Sequence, residues 1–217
     1  MQQKILFLIF IFLFVGCSHP PAVNKWQYDA VSSLHAYQKH FLQNRLLRAK
    51  SDLSRARSFA SQSAELHTRI DIELSVCAMQ LSILNPTSCE NASVLLQIDP
   101  DPSQFAYLSL LRSDLKDEEI KHLPEQYRAF GAAMIEADPA KINTRLESIR
   151  PLSSRLVASA LALPHLSADN LDSLIAELSY HGYKNPLIAW LTVQMQNETD
   201  PHKKVRLKAK ISALTSS

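Results

Sequence analysis

Leu96-Gln97-Ile98-Asp99-Pro100-Asp101-Pro102-Ser103-Gln104-Phe105-Ala106-Tyr107-Leu108 closes one helix and opens another within a single run of the chain. Asp101 places a capping carboxylate directly before Pro102, and proline is at home in the first turn because its missing N–H has no partner there anyway. The same device recurs at Asn85-Pro86, Asp138-Pro139, Asn185-Pro186 and Asp200-Pro201. The chain is thus punctuated as helix, short turn, helix.

Glycine confirms the class. Gly16, Gly131 and Gly182 are the only glycines in 217 residues, too few for β-hairpins or phosphate-cradling loops, which need positive φ. The expected class is all-α. Gly182 falls where a helix ending at Tyr180 or His181 needs a left-handed residue. Thr87 with Glu90, and less well Ser167 with Asn170, have the spacing of a capping box.

Upstream, punctuation disappears and only periodicity remains. Trp26, Ala30, Leu34, Tyr37 and Phe41 recur every three to four residues, as do Leu46, Ala49, Leu53, Ala56, Ala60 and Ser63, and then Ile70, Leu74, Cys77, Leu81 and Leu84. Breaks near Asn44 and Ser63 follow from the shift of the apolar face, with one or two longer helices as the alternative. In all, ten or eleven helices are expected.

Paired, they form units of 24–63, 66–100, 102–138, 139–164 and 167–199, with 201–214 left over. Most units are near the period of about 34 residues that marks tetratricopeptide repeats. Leu96 to Pro100, Ile135 to Pro139 and Asn197 to Pro201 resemble the unit endings of that family, and Phe105-Ala106-Tyr107-Leu108 resembles a following first helix. The resemblance, over Leu46 to Leu214, implies that the helical domain 24–217 is an array of antiparallel helix pairs, a TPR-like α-solenoid. The Trp, Gly and spaced Ala positions of the consensus are mostly missing, and a compact irregular helical domain is the alternative.

The amino terminus supplies an address. Lys4, the apolar run Ile5 to Val15, and Gly16 before Cys17 make a secretory signal, too short to span a bilayer as a helix. Leu13-Phe14-Val15-Gly16-Cys17 resembles the lipobox of bacterial lipoproteins, with Phe14 departing from the usual Leu. That resemblance implies cleavage after residue 16, acylation of Cys17 and a membrane anchor of two or three acyl chains. Residues 17–23 then form the lipidated cysteine and a tether with Pro20 and Pro21. Ser18 after the cysteine resembles lipoproteins sorted to the outer membrane, facing the periplasm.

With Cys17 acylated, Cys77 and Cys89 remain as an even pair in an oxidising compartment. A disulfide is expected, with two buried free thiols as the alternative. It requires α-carbons within about 7 Å, so the helix bearing Cys77 must end early and 82–88 must fold back. The net charge of +2 does not indicate a polyanion partner, and nucleic acid is in the wrong compartment.

No catalytic constellation stands out. The histidines are scattered, with His35 and His40 five apart rather than four, and no metal site or cofactor is implied. Asp114, Asp117, Glu118 and Glu119 sit where a helix begins, and there they complement its dipole. Lys39, Arg45, Arg48, Lys50, Arg55 and Arg57, opposed by Asp52 alone, are candidates for contact with anionic headgroups, although such a run is more often a solvated face. Lys203, Lys204, Arg206, Lys208 and Lys210 lie opposite Leu207, Ile211 and Leu214, as in a terminal capping helix. Trp26, Trp190, Tyr180 and Tyr183 are expected as core or interhelix anchors. The expected function is a non-enzymatic, membrane-anchored adaptor or scaffold for a protein or peptide partner in an envelope assembly or secretion machine. The alternatives are an enzyme acting on peptidoglycan or another envelope polymer, which needs a cleft with a raised carboxyl, and a carrier of a lipid or small apolar ligand, which needs an enclosed apolar cavity.

Overall fold

Three of the Asp-Pro pairs open helices as expected. Asp101, Asp138 and Asp200 each accept hydrogen bonds from the backbone N–H groups two and three residues on, and proline occupies the first turn. The computed structural model describes residues 24–216, so the signal-like segment and Cys17 lie outside the described residues. Within them are eleven α-helices and no strand: α1 Lys25–Leu42, α2 Leu46–Ala60, α3 His67–Ser82, α4 Glu90–Ile98, α5 Pro102–Arg112, α6 Glu125–Glu136, α7 Pro139–Ser148, α8 Leu152–Leu161, α9 Ala168–Tyr180, α10 Lys184–Asn197 and α11 Pro201–Thr215. The all-α class and the helix count hold.

The breaks near Asn44 and Ser63 are real, and Asn44 turns the chain with φ of 61°. Gly182 is left-handed at 66°, as its position after α9 required. Lacking further glycines, the chain puts Leu84, Cys89, Ser113 and Ala137 in the same region, a conformation that costs an L-residue roughly 1 kcal/mol each.

Two Asx-Pro expectations are corrected. Asn85-Pro86 lies in the linker before α4, and Pro186 is the third residue of α10, whose first turn begins at Lys184 after Tyr183. Thr87 and Glu90 form no capping box either: Glu90 is already the first residue of α4, and the Thr87 hydroxyl accepts the Cys89 N–H instead. Ser167 does cap α9, through the Asn170 N–H.

Packing decides between the two arrangements. Most successive helices pair, but α1 also packs on α10 and α3 on α8, far apart along the chain. The Trp190 indole, fully buried on α10, donates to the Ser82 carbonyl at the end of α3 over 3.0 Å. Three apolar clusters result. One joins α1 and α2 to α9–α11, a second fills the space among α5–α8, and a third lies among α3, α4 and α5. Helix α8 sits at their junction: Leu156, Val157 and Ala158, consecutive and all but inaccessible, enter the first, third and second clusters respectively. These contacts build a compact helical domain. The regular stacking of a repeat array, in which each unit touches only its neighbours, is not what they describe.

Candidate functional site

A central recess of about 240 Å³ opens between α1, α3, α5, α6 and α8. Leu34, Leu74, Met79 and Val157 form its apolar wall, and Gln38, Ser75, Tyr107, Tyr127 and Asp71 its polar features. Helical spacing places each group: Asp71, Leu74, Ser75 and Ala78 fall on one face of α3. The Gln38 amide donates to the Ser75 hydroxyl at 2.7 Å. Tyr107 and Tyr127 stack with ring centroids 5.5 Å apart, and the Tyr127 hydroxyl donates to the Ser154 carbonyl at 3.3 Å. Burial pushes both phenols above their ordinary range. They remain neutral donors at physiological pH rather than bases or nucleophiles.

Asp71 stands at the mouth. Its side chain is half exposed, faces His67 at 3.6 Å, and accepts the Gln104 amide at 2.7 Å. Burial raises its carboxyl above the ordinary value, opposed by the Gln104 hydrogen bond and the His67 charge. The recess therefore offers one raised carboxyl, two neutral phenols and a serine hydroxyl.

The basic first hairpin divides in two. Arg57 donates two parallel hydrogen bonds to Glu73 of α3, both 2.7 Å, and Arg55 pairs with Asp52. Lys39, Arg45, Arg48 and Lys50 are exposed and have no ion-pair partner among the described residues. Asp52 read in the sequence only as the lone acid of the basic run, and the structure makes it a buried pairing centre. It is 3% exposed and also holds the His40 ring, with Nδ1 2.6 Å from Oδ2, which locks α2 to α1. The signal was present: Asp52 is three residues after Ala49 and four before Ala56, on the apolar stripe itself.

Cys77 and Cys89 are bonded, with α-carbons 5.4 Å apart. α3 ends at Ser82 and 83–89 folds back, as the bond requires. Arg112 of α5 donates twice to the Ser88 carbonyl in the same corner, at 2.9 and 2.7 Å. The acidic run begins a 3-10 turn, Asp117–His122, where Glu119 accepts the Lys116 N–H. Among the described residues no group of His, Cys, Asp and Glu gathers as a metal site, and no helix is long and apolar enough to cross a membrane.

Aromatic expectations hold in part. Trp190 is core and Tyr183 packs on the first cluster, but Tyr180 is 86% exposed, edge-on to His181. It is the last residue of α9. Apolar exposure also concentrates on α4 and α5, where Val94, Ile98 and Phe105 are half exposed or more, and Phe105 walls a recess of about 120 Å³ with Leu96, Leu108 and Arg112. A second apolar recess, of about 300 Å³, is open at the surface between α5, α6 and α8 and is lined by Leu110, Leu115, Met134, Ile135 and Leu161. No family model, no curated protein and no solved structure matches the chain.

Proposed function

We propose that the chain is a lipid-anchored protein of a bacterial envelope, held through Cys17 at the periplasmic face of the outer membrane, and that it acts as a non-enzymatic helical adaptor for a protein or peptide partner. The observation that carries the adaptor reading is the α4–α5 surface with Val94, Ile98 and Phe105 in water. Apolar area left exposed is favourable to cover, at roughly 25 cal/mol per Å². α4 has only nine residues and is too short to be stable alone. The Cys77–Cys89 bond ties its start to α3, and Arg112 ties the preceding loop to α5. A surface held in this way binds without the entropic cost of being ordered first.

Affinity purification of the tagged full chain from detergent-solubilised envelopes tests the reading. A stoichiometric protein partner is expected with the wild type, and it is lost with Ile98→Asp or Phe105→Ser. Recovery of no stoichiometric partner from the wild type refutes the adaptor. Cys17→Ser tests the anchor separately: the wild type is expected to incorporate labelled palmitate and the variant is not.

The enzyme reading has one observation in its favour, the raised Asp71 carboxyl at the mouth of the central recess. It requires purified protein to cleave peptidoglycan and Asp71→Asn to abolish the cleavage.

A further inference from the structure

Leu46 and Leu47 open α2 at 52% and 88% exposed. The apolar periodicity assigned Leu46 to the core; the core instead takes Ala49, Ala56 and Ala60 from this helix. Two adjacent leucines therefore project into water at the α1–α2 turn. Around them stand Arg45, Arg48 and Lys50, with Lys39 in the last turn of α1. Between Asp29 and Glu65 the single carboxylate is Asp52, and it is buried and already holds His40 and Arg55. The turn combines an unneutralised positive charge with an apolar tip.

We propose that this turn is a second membrane contact: Leu46 and Leu47 enter the interfacial layer of an anionic bilayer while Arg45, Arg48, Lys50 and Lys39 meet the headgroup phosphates. Charge complementarity favours this occupant over a protein surface, because each basic residue near an anionic leaflet strengthens binding about fivefold, and leucine between basic residues suits the boundary of headgroups and acyl chains. The chain outside the described residues joins at Asn24, the other end of α1. α1 has 18 residues and is about 27 Å long, and the seven residues from Cys17 to Asn24 reach at most about 25 Å. An acyl anchor and the leucine turn then hold opposite ends of one helix against one surface, so the α1–α2 hairpin lies along the bilayer.

This inference deepens the proposed function and rests on its membrane address, but its test does not use the acyl group. Among the described residues every buried core residue lies at or after Ala30, so the chain beginning at Ser18 keeps all of that core, and its helical circular dichroism is checked first. That chain is floated with phosphatidylethanolamine vesicles containing or lacking phosphatidylglycerol. Flotation with the anionic vesicles is expected, about tenfold weaker in Leu46→Ser/Leu47→Ser and at least as weak in Arg45→Glu/Arg48→Glu/Lys50→Glu. Both variants change exposed positions, and circular dichroism matching the wild type verifies the fold. Absence of wild-type flotation overturns the proposal. So does a leucine variant that floats like the wild type, or one that keeps vesicle binding but loses a protein partner. Palmitate incorporation by the full chain, lost in Cys17→Ser, reports on the anchor alone, so either reading can fail without the other.

Discussion

Tyr37 is buried against the first cluster, and burial raises its phenol from 10.0 to about 12, with Arg57 pulling the value down and Glu73 pushing it up. Above pH 10 the unfolded chain loses this proton while the folded protein keeps it. The stability it confers is therefore complete below pH 10 and is lost as pH rises toward 12. That rise corresponds to roughly 2–3 kcal/mol. Urea unfolding of Tyr37→Phe between pH 9 and 11.5 should show a shallower alkaline decline than the wild type, with the remaining slope due to Tyr107 and Tyr127. Asp52 is a different case, since it holds both the His40 ring and the Arg55 guanidinium from a buried position. Asp52→Ala leaves His40 and Arg55 without a partner, but the Arg55 side chain is 60% exposed and can rehydrate. The expected loss is about 1–3 kcal/mol. Arg55→Ala should cost less than His40→Ala, because an exposed pair contributes little; equilibrium unfolding of the three variants gives the order.

At the scale of the element, the Asp-Pro starts were legible and the Asn-Pro starts were not, and the reason is local. Asp138 precedes ten helical residues that carry Ile142 and Leu146 to the core, so cap and apolar stripe agree. At Asn85 the following residues are spent on reaching the Cys77 disulfide, and the long-range bond overrides the local signal. Asp138→Ala should cost about 1 kcal/mol. Its neighbour Ala137 ends α6 with φ of 51°, where a glycine removes the Cβ clash; Ala137→Gly should stabilise by about 0.5 kcal/mol after its larger unfolded-state entropy is counted. Thermal or urea unfolding of the two variants, with opposite signs, checks the assignment. Reduction of Cys77–Cys89 opens a loop of sequence separation 12 and should cost about 3 kcal/mol. Hydrogen exchange should rise first in α4, the shortest helix and the one the bond secures. Val94, Ile98 and Phe105 were not readable as surface, because an apolar residue in a short helix carries no mark of which side faces a neighbour.

At the scale of the molecule, periodicity marks one face per helix, and the organising helix here is buried on more than one side. Leu156-Val157-Ala158 are adjacent in sequence, point about 100° apart, and each is buried in a different cluster. A stripe gives α8 one buried face like any other amphipathic helix; the tertiary packing of α3 on α8 and of α6 and α7 on α8 shows it as the hub. Such packing has a consequence for unfolding. In an open array, units melt with their own stabilities and neighbouring interfaces, so probes at different places report different transitions. Here Trp190 sits in the first cluster, bonded to the end of α3, while α8 joins that cluster to the other two. The chain has two tryptophans, so Trp26→Phe leaves Trp190 as the sole fluorescent probe. Its urea transition should coincide with that of the far-ultraviolet circular dichroism of all eleven helices. Leu156→Ala should reduce the unfolding free energy by about 2–5 kcal/mol and so lower both midpoints together. If instead the fluorescence midpoint moves while the dichroism keeps a second, unshifted transition, the clusters unfold separately and α8 does not join them.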